Sequence, residues 1–157
     1  SGVVVPGTGL HLNNMLGEQD LNPLGFHRHE PGRRVFSMMA PTVVLRDGEV
    51  ELALGSAGSN RIRSAIVQTI LAVVDHGLGV REAVERPRVH VEGDVVEAEP
   101  GVAPAALAAL EAGGFEVRRW HDRNLYFGGV QAVARDPQTG ALSGAGDPRR
   151  GGVAVVV

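Results

Sequence analysis

Glu49-Val50-Glu51-Leu52-Ala53-Leu54-Gly55-Ser56-Ala57-Gly58-Ser59-Asn60-Arg61 runs from an alternating strand through a glycine-rich loop into a helix. The strand has a partner just upstream, Thr42-Val43-Val44-Leu45-Arg46, and Asp47-Gly48 between them is a strong hairpin signal. Charged and apolar residues alternate along residues 49–54, so one face of that strand is expected to be wet. The helix is expected over about Arg61 to Asp75. Ile62, Ile66 and Ile70 lie on one face and Val67, Leu71 and Val74 on an adjoining one. Arg61, Ser64, Gln68 and Asp75 leave only a narrow polar stripe, which predicts a mostly buried helix ended at His76-Gly77.

Working outward, Val80 to Glu85 reads as a short helix stopped by Arg86-Pro87. Arg88 to Glu92 and Val95 to Glu99 form a second hairpin across Gly93-Asp94. Pro104 opens an Ala/Leu helix that Gly113-Gly114 closes. Strands are expected at Phe115 to Trp120, Val130 to Arg135 and Ala141 to Gly144, with Asp136 to Gly140 as a turn. Val153 to Val157 is a β-prone apolar tail. At the other end, Val3 to Val5 reads as a strand stopped by Pro6-Gly7, followed over residues 13–36 by a long irregular loop. Hairpins mixed with helices argue for an α+β fold, an antiparallel sheet packed with helices.

Composition narrows the chemistry. The chain has 157 residues and is 43% hydrophobic, enough for a core. Its net charge of −3 is scattered with no basic run, which argues against a nucleic-acid binder. There is no membrane-spanning apolar run. No cysteine is present, so disulfides, thiolate metal sites and a cysteine nucleophile are excluded. All 15 basic residues are Arg, which removes Schiff-base and P-loop lysine chemistry.

Several features invite a role. The loop at residues 55–61 offers amides at a helix N-terminus that suit an anion or a developing oxyanion; a plain tight turn is the other reading. It is neither a P-loop nor a dinucleotide fingerprint. Ser37 lacks a nucleophile elbow, and from its local sequence it reads by default as a surface or capping residue. Glu18 and Asp20 can hold an ammonium group or be merely solvated. His27 and His29 lack a third metal ligand. Met38-Met39 reads as core filling. Asp147-Pro148-Arg149-Arg150 is a charged turn with no chemistry of its own.

Taken in order, Pro6-Gly7-Thr8-Gly9 with Asn13-Asn14, Ser37 ahead of Ala40-Pro41-Thr42, the loop at 55–61, Arg86-Pro87-Arg88 and Asp147-Pro148-Arg149 resemble γ-glutamyltranspeptidases. The resemblance spans essentially the whole chain. It implies part of an N-terminal-nucleophile hydrolase αββα sandwich, with residues 1–157 a single-domain fragment from the C-terminal portion of the small, catalytic subunit. In that family the precursor cleaves itself, and the new N-terminal Thr attacks a γ-glutamyl amide such as glutathione with its own amine as base. The resemblance places that Thr upstream of Val3 to Val5, so the nucleophile is expected to be absent. Ser1 stands where the family has an ordinary residue. The chain alone is expected to be silent, with the large subunit of the same precursor as its partner.

By the same resemblance Gly58 and Ser59 match paired glycines whose amides stabilise the oxyanion. Ser37 matches the first of two serines on the substrate's α-carboxylate, and Met38 replaces the second. Met15 follows Asn14 where the family has an amide or carboxylate, and Glu18 or Asp20 matches the amine-binding Asp. Residues 21–36 fall where some members carry a lid. No cofactor or metal is implied. Two rivals remain: a non-catalytic scaffold homologue, and an acylase for another amide such as poly-γ-glutamate or a glutaryl side chain. The isolated fragment is expected to dimerise, and export to the periplasm or medium is implied by the family, with a cytoplasmic location also open.

Overall fold

The computed structural model describes residues 2–155, so Ser1, Val156 and Val157 lie outside the described residues. The chain forms two compact units, Ser1–Met38 and Met39–Val157. Among the described residues no helix is long and apolar enough to cross a membrane.

In the first unit the expected strand at Val3 to Val5 shrinks to one bridge, Val4 with His11. The Val5 amide donates to the Leu10 carbonyl and the Leu12 amide to that of Val3, both at 2.9 Å. Pro6 has no amide to extend the ladder, and the Thr8 hydroxyl caps the reversal by donating to the Val5 carbonyl. Two single-turn 3₁₀ helices follow, Met15–Gly17 and Gln19–Leu21. Buried Asn22 holds them: its Nδ2 donates to the carbonyls of Leu16 at 3.0 Å and Glu18 at 2.7 Å.

The second unit is built on two sheets. Strands β1 (Thr42–Arg46) and β2 (Glu49–Ala57) form the expected hairpin. Asp47 and Gly48 both have positive φ, +52° and +85°, which gives the turn the twist of its flanking strands. Helices α1 (Arg61–Val74) and α2 (Val80–Glu85) follow, then β3 (Val89–Glu92), β4 (Val95–Ala98), α3 (Pro104–Ala112) and β5 (Glu116–Arg119). Strands β6 (Gly129–Arg135) and β7 (Leu142–Gly146) close the unit. One sheet has the order β1-β2-β6-β7, antiparallel throughout. The other has the order β3-β4-β5, with β4 and β5 parallel because α3 crosses between them.

Strand β2 runs three residues beyond the expected end, because Gly55, Ser56 and Ala57 pair with Gln131, Val130 and Gly129. Its inward residues Leu52 and Leu54 meet Ala132, Val130 and Ala145 in the core. Helix α1 packs Ile62, Ala65, Ile66, Thr69 and Ala72 inward. It is not mostly buried, however: Val67 and Leu71 are exposed. Its polar stripe docks it instead, since the Gln68 amide donates to the Val89 carbonyl and Gln68 Oε1 accepts from the Val89 amide. The opposite face of the larger sheet is also open, with Val43, Leu45, Val133 and Leu142 all exposed. The register puts Val43, Ala53, Val133 and Gly144 in one row across it.

The described part of the valine tail forms no strand, and Val153 and Val155 are exposed. It passes so close to β7 that a Cβ on Gly146 would collide with the Val153 nitrogen.

Four charges organise this unit. Arg88, Glu99, Asp147 and Arg149 are all buried, which corrects the reading of residues 147–150 as a charged turn. Asp147 takes Arg88 at 2.8 Å and Arg149 at 3.1 Å, and Arg149 Nε donates to Glu99 at 2.7 Å. The carboxylates also take amides: Asp147 from Val130 and Arg149, Glu99 from Arg88. Arg88 reaches the Phe127 and Val84 carbonyls, and Arg149 those of Val84 and Arg86. The end of α2, both sheets and the 3₁₀ turn Leu125–Phe127 are thus tied together.

Burial opposes the charge on Asp147, but Arg88 and the two amides outweigh it and hold its carboxyl below the ordinary range. Burial also opposes the charge on Arg149; Glu99 and Asp147 more than offset it and raise that group. Arg88 is lowered by burial and by the neighbouring Arg149. Because the folded Asp147 value is depressed, its stabilisation is present above the unfolded value of roughly 4 and lost as pH falls through the folded one. Asp147→Asn is expected to cost about 3–5 kcal/mol in urea unfolding at pH 7 and to flatten the acid limb of the stability curve. A loss below about 1 kcal/mol would mean the network is solvated.

Candidate functional site

The turn between β2 and α1 is backbone held under strain. Gly58 has φ +130° and Ser59 has φ +55°. Only glycine fits at 58, since a Cβ there would sit 2.7 Å from Gly128 Cα. Ser59 adopts the left-handed region that an L-residue enters at a cost of about 1–2 kcal/mol. The Ser56 hydroxyl braces the strand end, donating to the Ala57 carbonyl at 3.0 Å and accepting from the Gly129 amide at 3.3 Å.

The carbonyls of Gly58 and Ser59 accept from the Arg61 and Ile62 amides, each at 3.1 Å, and so start α1. In a planar trans peptide the N–H points opposite to the carbonyl. The Ser59 amide, sharing its peptide with the Gly58 carbonyl, is therefore aimed away from the helix. The Gly58 amide is aimed away from the carbonyl that Ser56 engages. Two consecutive amides at a rigid helix entrance can stabilise developing negative charge without reorganising.

Side chains lock the next residues. Arg61 Nε donates to the Tyr126 carbonyl at 3.1 Å, with the guanidinium 4.6 Å from the Tyr126 ring centroid. Tyr126 stacks on Trp120 at 5.0 Å, and Trp120 Nε1 donates to Glu97 at 2.7 Å. Asn60 Nδ2 donates to Glu92 at 3.3 Å.

The remaining candidates lie at residues 15–38. Glu18 is half-buried, and its carbonyl is fixed by the Asn22 amide, whereas Asp20 is exposed. Ser37 is exposed, with its hydroxyl 4.0 Å from Met15 Sδ. Met38 is half-buried and Met39 is exposed, so the pair does not fill a core. His29 Nε2 meets Asn22 Oδ1 at 3.1 Å. Among the described residues no cluster of three or more His, Asp or Glu is arranged to hold a metal.

Asn22 and the pairing of Arg88 and Arg149 with Asp147 were not singled out in the sequence. Asn22 carried no signal beyond standing two residues after Asp20. A signal for that pairing existed in Arg-Pro-Arg and Asp-Pro-Arg, whose prolines present charges beside element ends.

The fold, sheets packed with helices, is that of the N-terminal-nucleophile hydrolase class of α+β proteins. The γ-glutamyltranspeptidase model matches residues 1–157, and the chain belongs to that family. The Acylase ACY 1 proenzyme of Pseudomonas sp. (strain SE83) is 39% identical over 99% of this chain and 27% of its own length. The glutathione hydrolase proenzyme of Bacillus subtilis (strain 168) is 32% identical over 99% of this chain and 26% of its own length. The chain thus spans about a quarter of these curated relatives. Among solved structures, γ-glutamyltranspeptidase from Pseudomonas nitroreducens complexed with L-DON is 34% identical, with a TM-score of 0.76, over 100% of this chain and 86% of that one.

Ser59→Gly is expected to raise stability by up to about 1 kcal/mol in thermal unfolding, because it removes left-handed strain and keeps the amide. Gly58→Ala is expected to destabilise by more than Ser59→Gly stabilises. Equal and small effects at both positions would mean the turn is not strained.

Proposed function

We propose that the chain is the acyl-binding and oxyanion-stabilising part of an N-terminal-nucleophile amidase that cleaves γ-glutamyl amides such as glutathione. In this reading a Thr hydroxyl in sequence outside these residues attacks the amide carbonyl with its own amine as base. The acyl-enzyme then passes the γ-glutamyl group to water or to an amino acid. Gly58 and Ser59 donate their amides to the tetrahedral oxyanion. Ser37 donates to the α-carboxylate, and Glu18 binds the α-ammonium. Glu18 is preferred over Asp20 because it is half-buried and its backbone is fixed by Asn22.

The observation that carries this reading is the Gly58–Ser59 turn, strained backbone with both carbonyls committed to α1. The large subunit of the same precursor is the proposed partner, and residues 1–157 are the proposed C-terminal portion of the small subunit. Two observations support this: the chain spans about a quarter of relatives named proenzymes, and the sheet face around Val43, Leu45, Val133 and Leu142 is uncovered. Alone, the chain is expected not to hydrolyse γ-glutamyl-p-nitroanilide and to dimerise through that face. Val133→Glu with Leu142→Lys should return it to a monomer in sedimentation. Measurable hydrolysis by the purified chain would contradict the proposed location of the nucleophile.

A second reading, an acylase for a substrate without the glutamyl amine and carboxylate pair, is favoured by two observations. By the family resemblance Met38 stands where a serine is expected, and the 39%-identical relative is named an acylase. One lost charge-assisted bond is worth about 1.5–3 kcal/mol, so Met38→Ser in the assembled enzyme is expected to lower KM for γ-glutamyl substrates at least tenfold. A glutaryl amide hydrolysed faster than a γ-glutamyl one, with Met38→Ser leaving KM unchanged, would favour the acylase.

A further inference from the structure

Beside the turn lies a second polar cluster with no part in the chemistry above. His90 on β3 is buried, and its Nδ1 is 2.8 Å from the Ser64 hydroxyl of α1. Its Nε2 is also buried and has no hydrogen-bond partner among the described residues. Glu92, two residues on and therefore on the same face of β3, places Oε2 3.8 Å from that nitrogen. The other carboxylate oxygen of Glu92 accepts from Asn60 Nδ2 at 3.3 Å. Asn60 directly follows Ser59 and precedes the first residue of α1.

We propose that His90 and Glu92 form a proton-sensitive latch on Asn60, a positioning device for the Gly58–Ser59 turn. The inference rests on the reading of that turn as the oxyanion site. With His90 neutral, Glu92 is held at the surface by Asn60, and Asn60 is fixed beside the turn. Whichever nitrogen bears hydrogen in the neutral ring, the imidazolium formed with a solvent proton carries N–H at both. One meets Ser64, and the other faces Glu92 across a distance too long for the neutral contact. The cation draws the carboxylate inward, and Asn60 loses its acceptor.

Every packed element adds charge around His90. Arg61 and Arg63 on α1 oppose its protonation, while Glu92 on β3 and Glu97 on β4 favour it. Tyr126, from the 3₁₀ turn, approaches edge-on at 6.2 Å. Burial is the largest influence and keeps the imidazole below its ordinary value, so the ring is neutral at pH 7 and takes a proton only below the ordinary imidazole range.

The test is an NMR titration of the 157-residue chain from pH 8 to pH 5, following the His90 ring and the Ser59 and Asn60 amides. Both amides are expected to shift with the midpoint of the ring. In Glu92→Gln the ring should still titrate while the amide response is lost, and His90→Gln should abolish that response over the same range. Amides that stay fixed while His90 titrates, or that respond equally in Glu92→Gln, would overturn the latch. Neither outcome depends on catalysis. If the oxyanion reading alone fails, the coupled shifts persist in a turn that binds no acyl group.

Discussion

The buried ion-pair network of Arg88, Glu99, Asp147 and Arg149 is the constraint on which the second unit depends. It joins the end of α2 and the start of β3 to the far end of β7, and it fixes the Leu125–Phe127 turn from below. Two arginines against two carboxylates leave the cluster neutral, and each carboxylate takes backbone amides besides. A buried pair stabilises only when its remaining lone pairs and protons are met, and here most are. Because Gly128 and Gly129 directly follow this turn, the network also fixes the backbone against which Gly58 must pack. The strain at residues 58 and 59 persists because its surroundings are held from several directions.

That arrangement accounts for which parts could be read from sequence. The β1–β2 hairpin was legible because Asp47-Gly48 suits a turn with two positive φ values. α3 was legible because Pro104 and two glycines bracket it. The Val3 to Val5 strand was not, since propensity cannot say whether a partner strand exists. The exposure of Val67 and Leu71 was hidden for a similar reason: periodicity marks an apolar face without saying what covers it. The network showed in sequence only as Arg-Pro-Arg and Asp-Pro-Arg, because its Arg149–Glu99 contact joins residues 50 apart.

The candidate site was legible in part. The glycine loop at residues 55–61 stood out as a strand-to-helix turn, and its left-handed Ser59 is a feature no propensity forecasts. Ser37, matched by family resemblance, lies beside Met15, which departs from the family pattern, while Met38 and Met39 do not behave as core residues. Membership of the γ-glutamyltranspeptidase family fits a chain without Cys or Lys, since the chemistry proposed for this site needs neither. The open sheet face and the exposed side of α1 have the same explanation in this reading, as surfaces met by the rest of a longer protein.

In the proposed reading the Gly58–Ser59 amides receive the oxyanion formed from a γ-glutamyl amide. A crystal structure of the assembled protein with bound glutamate puts that reading to the test. The expected result is a γ-carboxyl oxygen within hydrogen-bond distance of the Gly58 and Ser59 amides. Glutamate bound with no oxygen near the turn would contradict it.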